Sequence, residues 1–333
     1  MRKLLSLILC LCLAAGLLAG CTEEESESPT LPPRTNFSQA TEAPEETSEP
    51  TVPATEAPMQ TVALRDRDIA LRKTYVLVPI ATNAPFLAQG VKLNEAGANA
   101  LAQWMMTADT QALIENVGLR EFGEPIFSLP TDNLLFAGKI AAATPASKTI
   151  RLAVESTILD SGLTDELLPT FQQAYQYEVT VTQGPAAAVL NAARSGYADL
   201  ILLEAGDPVT TLVTEGFART VPGLMGEQLR ICSMQYLLCG PREDPAKVAD
   251  RASVGESFAA IAAGEFRFTC PGDGSPAHRL AHQFWPASTQ FGSWYVDADM
   301  AMGPSLVMSD IEGGYILTDK LTWLIFSQAD GII

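Results

Sequence analysis

Residues 149–204 read as strand, helix, strand, helix, strand from the alternation of apolar and polar positions alone. Ile150 to Val154 is an apolar run too short for a helix. It ends in Glu155-Ser156-Thr157, which predicts a buried strand with a polar exit. Asp160, Ser161 and Gly162 offer helix-start chemistry, and Leu163, Leu167, Leu168, Phe171 and Ala174 follow at helical spacing. Tyr177 to Thr182 alternates as a strand, Gly184-Pro185 opens a helix running to Arg194, and Ala198 to Leu203 forms a third strand. Strands alternating with helices predict a parallel α/β sheet whose strand C-termini share one edge, where ligands bind. Glu155-Ser156-Thr157 and Thr182-Gln183-Gly184 are polar loops at that edge, each leading into a helix N-terminus whose free N–H groups favour anions.

Upstream, Leu71 to Ala81 reads as a strand, and Asn94 to Asn116 as two helices meeting near Thr107. The Met105-Met106 pair lacks other thioether or thiol ligands and reads as core packing. Residues 133–147 are small and weakly patterned, like a connector. Downstream, a helix follows Gly206-Asp207-Pro208, Leu229 to Cys239 is a long strand, Ser253 to Gly264 a helix and Phe266 to Cys270 a strand. Pro271 to Pro276 is a loop opening a helix through Trp285. A further helix lies near Gly303 to Met308, and Tyr315 to Asp319 is a strand ending in a helix start. No repeat of solenoid period occurs.

The first 21 residues follow another logic. Arg2 and Lys3 precede the apolar run Leu4 to Leu18, which closes with Leu18-Ala19-Gly20-Cys21. The run is short for a membrane span, and no basic cluster follows it. The pattern resembles the lipobox of bacterial lipoproteins. That implies cleavage before Cys21, lipid attachment to Cys21 and residence on the extracytoplasmic face of the cell membrane. Residues 22–59, rich in Ser, Thr, Pro and Glu, predict a solvated stalk. Nine glutamates against one arginine there account for 8 of the 18 formal negative charges, and the acidic balance argues against a nucleic-acid partner. Cys10 and Cys12 leave with the leader. Cys232, Cys239 and Cys270 remain, allow at most one disulfide, match no metal spacing and read as buried thiols. Residues 60–333 suit two α/β lobes better than one core, lobe I near 70–230 and lobe II near 231–333 together with 60–69.

Six segments, in order, resemble the substrate-binding proteins of tungstate-type ABC importers: LAVESTILDSGL (Leu152–Leu163), ARSGYADLILLEA (Ala193–Ala205), CGPREDPA (Cys239–Ala246), FTCPGDGSPAH (Phe268–His278), SWY (Ser293–Tyr295) and GGYILTDKLTWL (Gly313–Leu324). The resemblance implies a two-lobed, periplasmic-binding-protein-like (type II) α/β fold and a monomer that hands a small ligand to an ABC permease, with no cofactor and no catalysis. Residues 63–127 resemble the piece that closes the family's sequence, so the chain reads as circularly permuted, with residues 133–147 joining the former ends. The family's hydroxyl-rich run stands here as Val154-Glu155-Ser156-Thr157, its arginine as Pro271, a threonine near Ala277, and its Gly-rich polar turn as Gly184-Pro185-Ala186. A Ser-Thr-Gly-Gln-like run has become Asp297-Ala298-Asp299-Met300. An oxyanion site needs donors and positive charge, so Glu155 and the lost arginine disfavour a dianion such as tungstate.

The expected ligand-binding residues are Glu155, Ser156, Thr157 and Gly184 from one lobe and Asp273, Gly274 and Ser275 from the other. His278 and His282 are the only histidines, four apart on one helix face. HRLAH has no glutamate after its first histidine, so a peptidase base is missing. A cation site pairing them with Glu155 or Asp297 competes with an ordinary surface or lobe-interface role, which is the commoner one. Ser275 in GDGSP lacks nucleophile-elbow spacing. Trp294-Tyr295 either lines the cleft or fills the second lobe. Three function classes follow: a solute-binding lipoprotein, an interaction or regulatory lipoprotein whose old site has decayed, and, more remotely, a metal-dependent hydrolase.

Overall fold

The computed structural model of the chain describes residues 61–85, 87, 90–272 and 275–328. Its elements in order are β1 (Thr61–Arg65), a 3-10 turn (Ile69–Leu71), β2 (Arg72–Pro79), α1 (Glu95–Met105), α2 (Ala108–Asn116), α3 (Leu119–Phe122) and β3 (Phe127–Ser128). There follow β4 (Thr149–Glu155), α4 (Ser156–Asp160), α5 (Leu163–Tyr175), β5 (Glu178–Gly184), α6 (Ala186–Arg194), β6 (Leu200–Glu204) and α7 (Asp207–Thr214). The last are β7 (Leu229–Pro241), α8 (Val254–Ala263), β8 (Phe268–Cys270), α9 (Pro276–Phe284), β9 (Tyr295–Asp297), α10 (Met302–Glu312), β10 (Ile316–Asp319) and α11 (Lys320–Gln328).

The long strand β7 joins two half-sheets. Its first part, Leu229 to Gln235, pairs with β2, and Ser233 and Met234 also pair with β3. Its second part, Tyr236 to Pro241, pairs with β1 and β10. The strand order is β1-β7-β2-β6-β4-β5, and β8-β9 form a separate pair that a bridge from Phe268 to Tyr315 ties toward β10. The parallel sheet expected from the strand–helix alternation holds only for β5-β4-β6 and for β8-β9; β2 runs antiparallel to both β6 and β7. The reason is topological. Strand β2 comes from before the strand–helix alternation, so no right-handed crossover dictates its direction.

Side chains alternate across each strand and feed separate cores. On β2, Tyr75 and Leu77 face one core while Val76 and Val78 face another; on β6, Leu200 and Leu202 divide from Ile201 and Leu203 in the same way. The first core also takes Ala98, Leu101 and Met105 of α1, Ile114 of α2, Phe127, and Leu167 and Phe171 of α5. The segment from β2 to β3 therefore shares one core with β4 to β6. The second half is built on Tyr236 and Leu238 of β7 with Phe258, Phe268, Leu280, Trp285 and Trp294. Each such side chain contributes about 1.5–3 kcal/mol on burial. Leu321 and Leu324 of α11 return to the first core, while Phe326 packs with Leu237 and Cys239 in the second part of β7. The helix pair between 94 and 116 divides as the sequence reads, because Thr107 Oγ1 caps α2 by accepting from Thr110 N–H at 3.3 Å. Among the described residues no helix is long and apolar enough to cross a membrane. The leader, the stalk and Cys21 lie outside them.

Candidate functional site

The polar exit from β4 is tighter than a loop. The strand continues through Glu155, and α4 begins at the next residue, so Ser156 and Thr157 form the first turn of a five-residue helix and are half-buried. Gly184 ends β5 directly beside Glu155 in register. Glu155 itself is buried, and its Oε2 accepts from the Glu204 N–H at 2.8 Å. Burial raises the Glu155 pKa above the usual carboxylate value; the Glu204 carboxylate adds to this, while the Glu204 N–H and the Arg279 guanidinium oppose it. Glu204 is held in turn by Lys73, Nζ to Oε1 3.3 Å.

Arg279 belongs to α9, on the second half of the molecule. Its charge favours the Glu155 carboxylate, the smallest of the influences on that group. Helix α9 starts as expected: Ser275 is its N-cap, Oγ accepting from His278 N–H at 3.3 Å, with Pro276 in the first turn. Asp273 and Gly274 lie outside the described residues. The guanidinium of Arg279 is a cationic group that a search at Pro271, where the resembling family has its arginine, does not find.

The second half carries a cluster that the sequence divides. Cys270 ends β8, His278 and His282 stand one turn apart on α9, and the ligand atoms of all three lie within 4.8 Å of one another. The two imidazoles have ring centroids 4.9 Å apart. Tyr295 of β9 reaches His282 Nε2 with its hydroxyl at 3.2 Å, and its ring stacks on Phe268 at 6.0 Å. Burial first, then hydrogen bonding to Cys270 and the charges of Cys270 and Asp297, push the Tyr295 phenol well above its ordinary range. Burial and the neighbouring His278 lower the His282 pKa, against the pull of Asp297. Asp297 is the register partner of Cys270. Cys232, Cys239 and Cys270 are all buried and none is disulfide-bonded. Trp294 is buried in the second core and Tyr295 is half-buried at its edge. A surface hollow of 420 Å³ lies elsewhere, lined in part by Asn116, Arg120, Ser161 and Glu166, and contains none of the expected ligand-binding residues.

Comparison with known proteins agrees with the resemblance read from the sequence motifs. A Haloferax volcanii protein described as an ABC transporter anion-binding protein is 30% identical over 182 residues, 54% of this chain and 51% of its own length. The tungstate-binding protein TupA of Peptoclostridium acidaminophilum is 29% identical over 185 residues, 54% of this chain and 62% of its own. The chain thus spans about half to three-fifths of the length of these curated relatives. Among solved structures, the tungstate ABC transporter protein of Geobacter sulfurreducens aligns with 26% identity over 55% of this chain and 76% of that one, TM-score 0.44. TupA of Desulfovibrio alaskensis aligns with 25% identity over 56% and 73%, TM-score 0.47. No family model matches the chain. The architecture is a mixed α/β one, two half-sheets sharing β7 with helices packed on them.

Proposed function

We propose that this chain is a lipid-anchored, extracytoplasmic solute-binding protein that hands a small ligand to an ABC permease. It acts as a monomer, without cofactor or catalysis. The observation that carries the reading is the likeness of 54% of the chain to relatives described as anion- and tungstate-binding proteins; the charge of Arg279 on α9 also acts on Glu155 at the end of β4. Glu155 ends β4 immediately before the start of α4, the kind of strand-to-helix edge at which ligands sit in α/β proteins. The relatives' descriptions as anion- and tungstate-binding proteins support the transport role. The N-terminal Leu18-Ala19-Gly20-Cys21 supports the anchor. The sharing of one core by residues 75–127 and 150–202 supports a circularly permuted order, in which the early segment takes the place of the family's closing one.

A thermal-shift panel of oxyanions, divalent metals and small organic solutes on the full chain tests the solute-binding role. One class is expected to raise the melting temperature in a saturable way. Silence across the panel favours the interaction lipoprotein instead. Cys21→Ser is expected to release the protein from the membrane fraction; unchanged fractionation with no lipid mass on the wild type rejects the anchor.

A further inference from the structure

We propose that Cys270, His278 and His282 bind a borderline-soft divalent d-block cation, zinc above all. It rests on the solute-binding reading only in making that cation the cargo; the coordination stands without it. A thiolate with two imidazoles suits zinc and copper and ill suits magnesium or calcium. Tetrahedral zinc, with bonds of about 2.0–2.3 Å, needs its ligand atoms roughly 3.3–3.7 Å apart. The three groups already converge to within 4.8 Å, so closure asks for a rotamer adjustment of about an ångström.

The fold fixes each member by a different device. Cys270 is wholly buried at the end of β8. Ser275 sets the start of α9, which places the residues one turn apart on a common face. The Tyr295 hydroxyl lies 3.2 Å from His282 Nε2 and hydrogen-bonds toward Cys270, as an outer neighbour that orients two ligands at once. Asp297, beside Cys270 in register, adds negative charge. The ligands grade from buried Cys270 through half-buried His278 to exposed His282, which gives the ion an entry path and leaves a fourth position for solvent or a carboxylate. Binding displaces the Cys270 thiol proton to solvent, so the site loads as a thiolate.

The test titrates the reduced full chain with Zn²⁺ by calorimetry and with Co²⁺ by absorbance. The expected result is one equivalent of zinc and a thiolate-to-cobalt charge-transfer band in the near ultraviolet. Cys270→Ser should abolish the band, while sites made by Cys10, Cys12 or Cys21 would survive that change. His282→Gln, at an exposed position, should weaken zinc by about tenfold or more with its melting curve intact. No cobalt band in the wild type, or zinc affinity unmoved by both substitutions, overturns the proposal. A tungstate-induced thermal shift without zinc binding sinks this site and leaves the solute-binding reading standing. Zinc binding without any permease-dependent uptake does the reverse.

Discussion

The Glu204 N–H donates to Glu155 Oε2 at 2.8 Å, which ties the end of β6 to the end of β4 through a buried carboxylate. The residue expected to face a solute from an open loop is thus also a strut between two parallel strands.

That strut has a pH signature. Burial raises the folded Glu155 pKa from an ordinary value of 4.5. Between that value and the folded one, the native state holds more protons than the unfolded state, so this group's contribution falls as pH rises through the window. Above the folded pKa the penalty is complete. Glu155→Gln keeps an oxygen for the Glu204 N–H and removes the charge. Its urea midpoint should equal or exceed wild type at neutral pH, and the gap should narrow on acidification through the window. A loss above about 1 kcal/mol at neutral pH would contradict this account.

Asp199 is buried and accepts from four donors: Asn94 N–H at 2.7 Å, Arg151 N–H at 2.8 Å, Arg151 Nη2 at 2.7 Å and Arg151 Nε at 3.2 Å. Asp199→Ala strands these donors and leaves a part-buried guanidinium unpaired. Denaturant unfolding should show a loss of about 3–5 kcal/mol.

Thr269 sits wholly buried on β8 with an unbonded hydroxyl. Thr269→Val keeps the shape and removes an unsatisfied polar atom. A gain of about 1 kcal/mol, read as a rise of about 2–4 °C in melting temperature, is expected; a fall would reveal a hidden partner.

Gly240 on β7 lies against Tyr315, whose ring carbon would stand 2.4 Å from an added Cβ. Tyr315 cannot easily give way, because its hydroxyl donates to Asp244 Oδ1 at 2.9 Å and accepts from Ala246 N–H at 2.9 Å. Gly240→Ala should therefore cost about 1–3 kcal/mol in chemical denaturation. An unchanged midpoint would mean that the ring moves freely.

Local chemistry made most elements legible. Short apolar runs mark β2, β4 and β7, period-two alternation marks β5, and Thr107 and Ser275 announce helix starts by their capping hydroxyls. Long-range pairing was not legible: nothing in Arg72–Pro79 says that it inserts between β6 and β7. The same holds at the site. Glu155 reads as a polar loop residue because its acceptor role depends on an N–H 49 positions away. Cys270 was set apart from the histidines because a strand end and a loop intervene. The signal was present as Cys-x7-His-x3-His, a spacing that means something only once the loop folds back.

Strand β7 has a consequence for how the molecule is inherited and engineered. Its thirteen residues supply a hydrogen-bonding partner to strands of both half-sheets, with the handover between Gln235 and Tyr236. A single cut there would strip each half of the strand its neighbours lean on. Gene fragments ending at that point should yield insoluble halves, and new termini are better placed in the exposed turn at Arg242-Glu243, just past the end of β7.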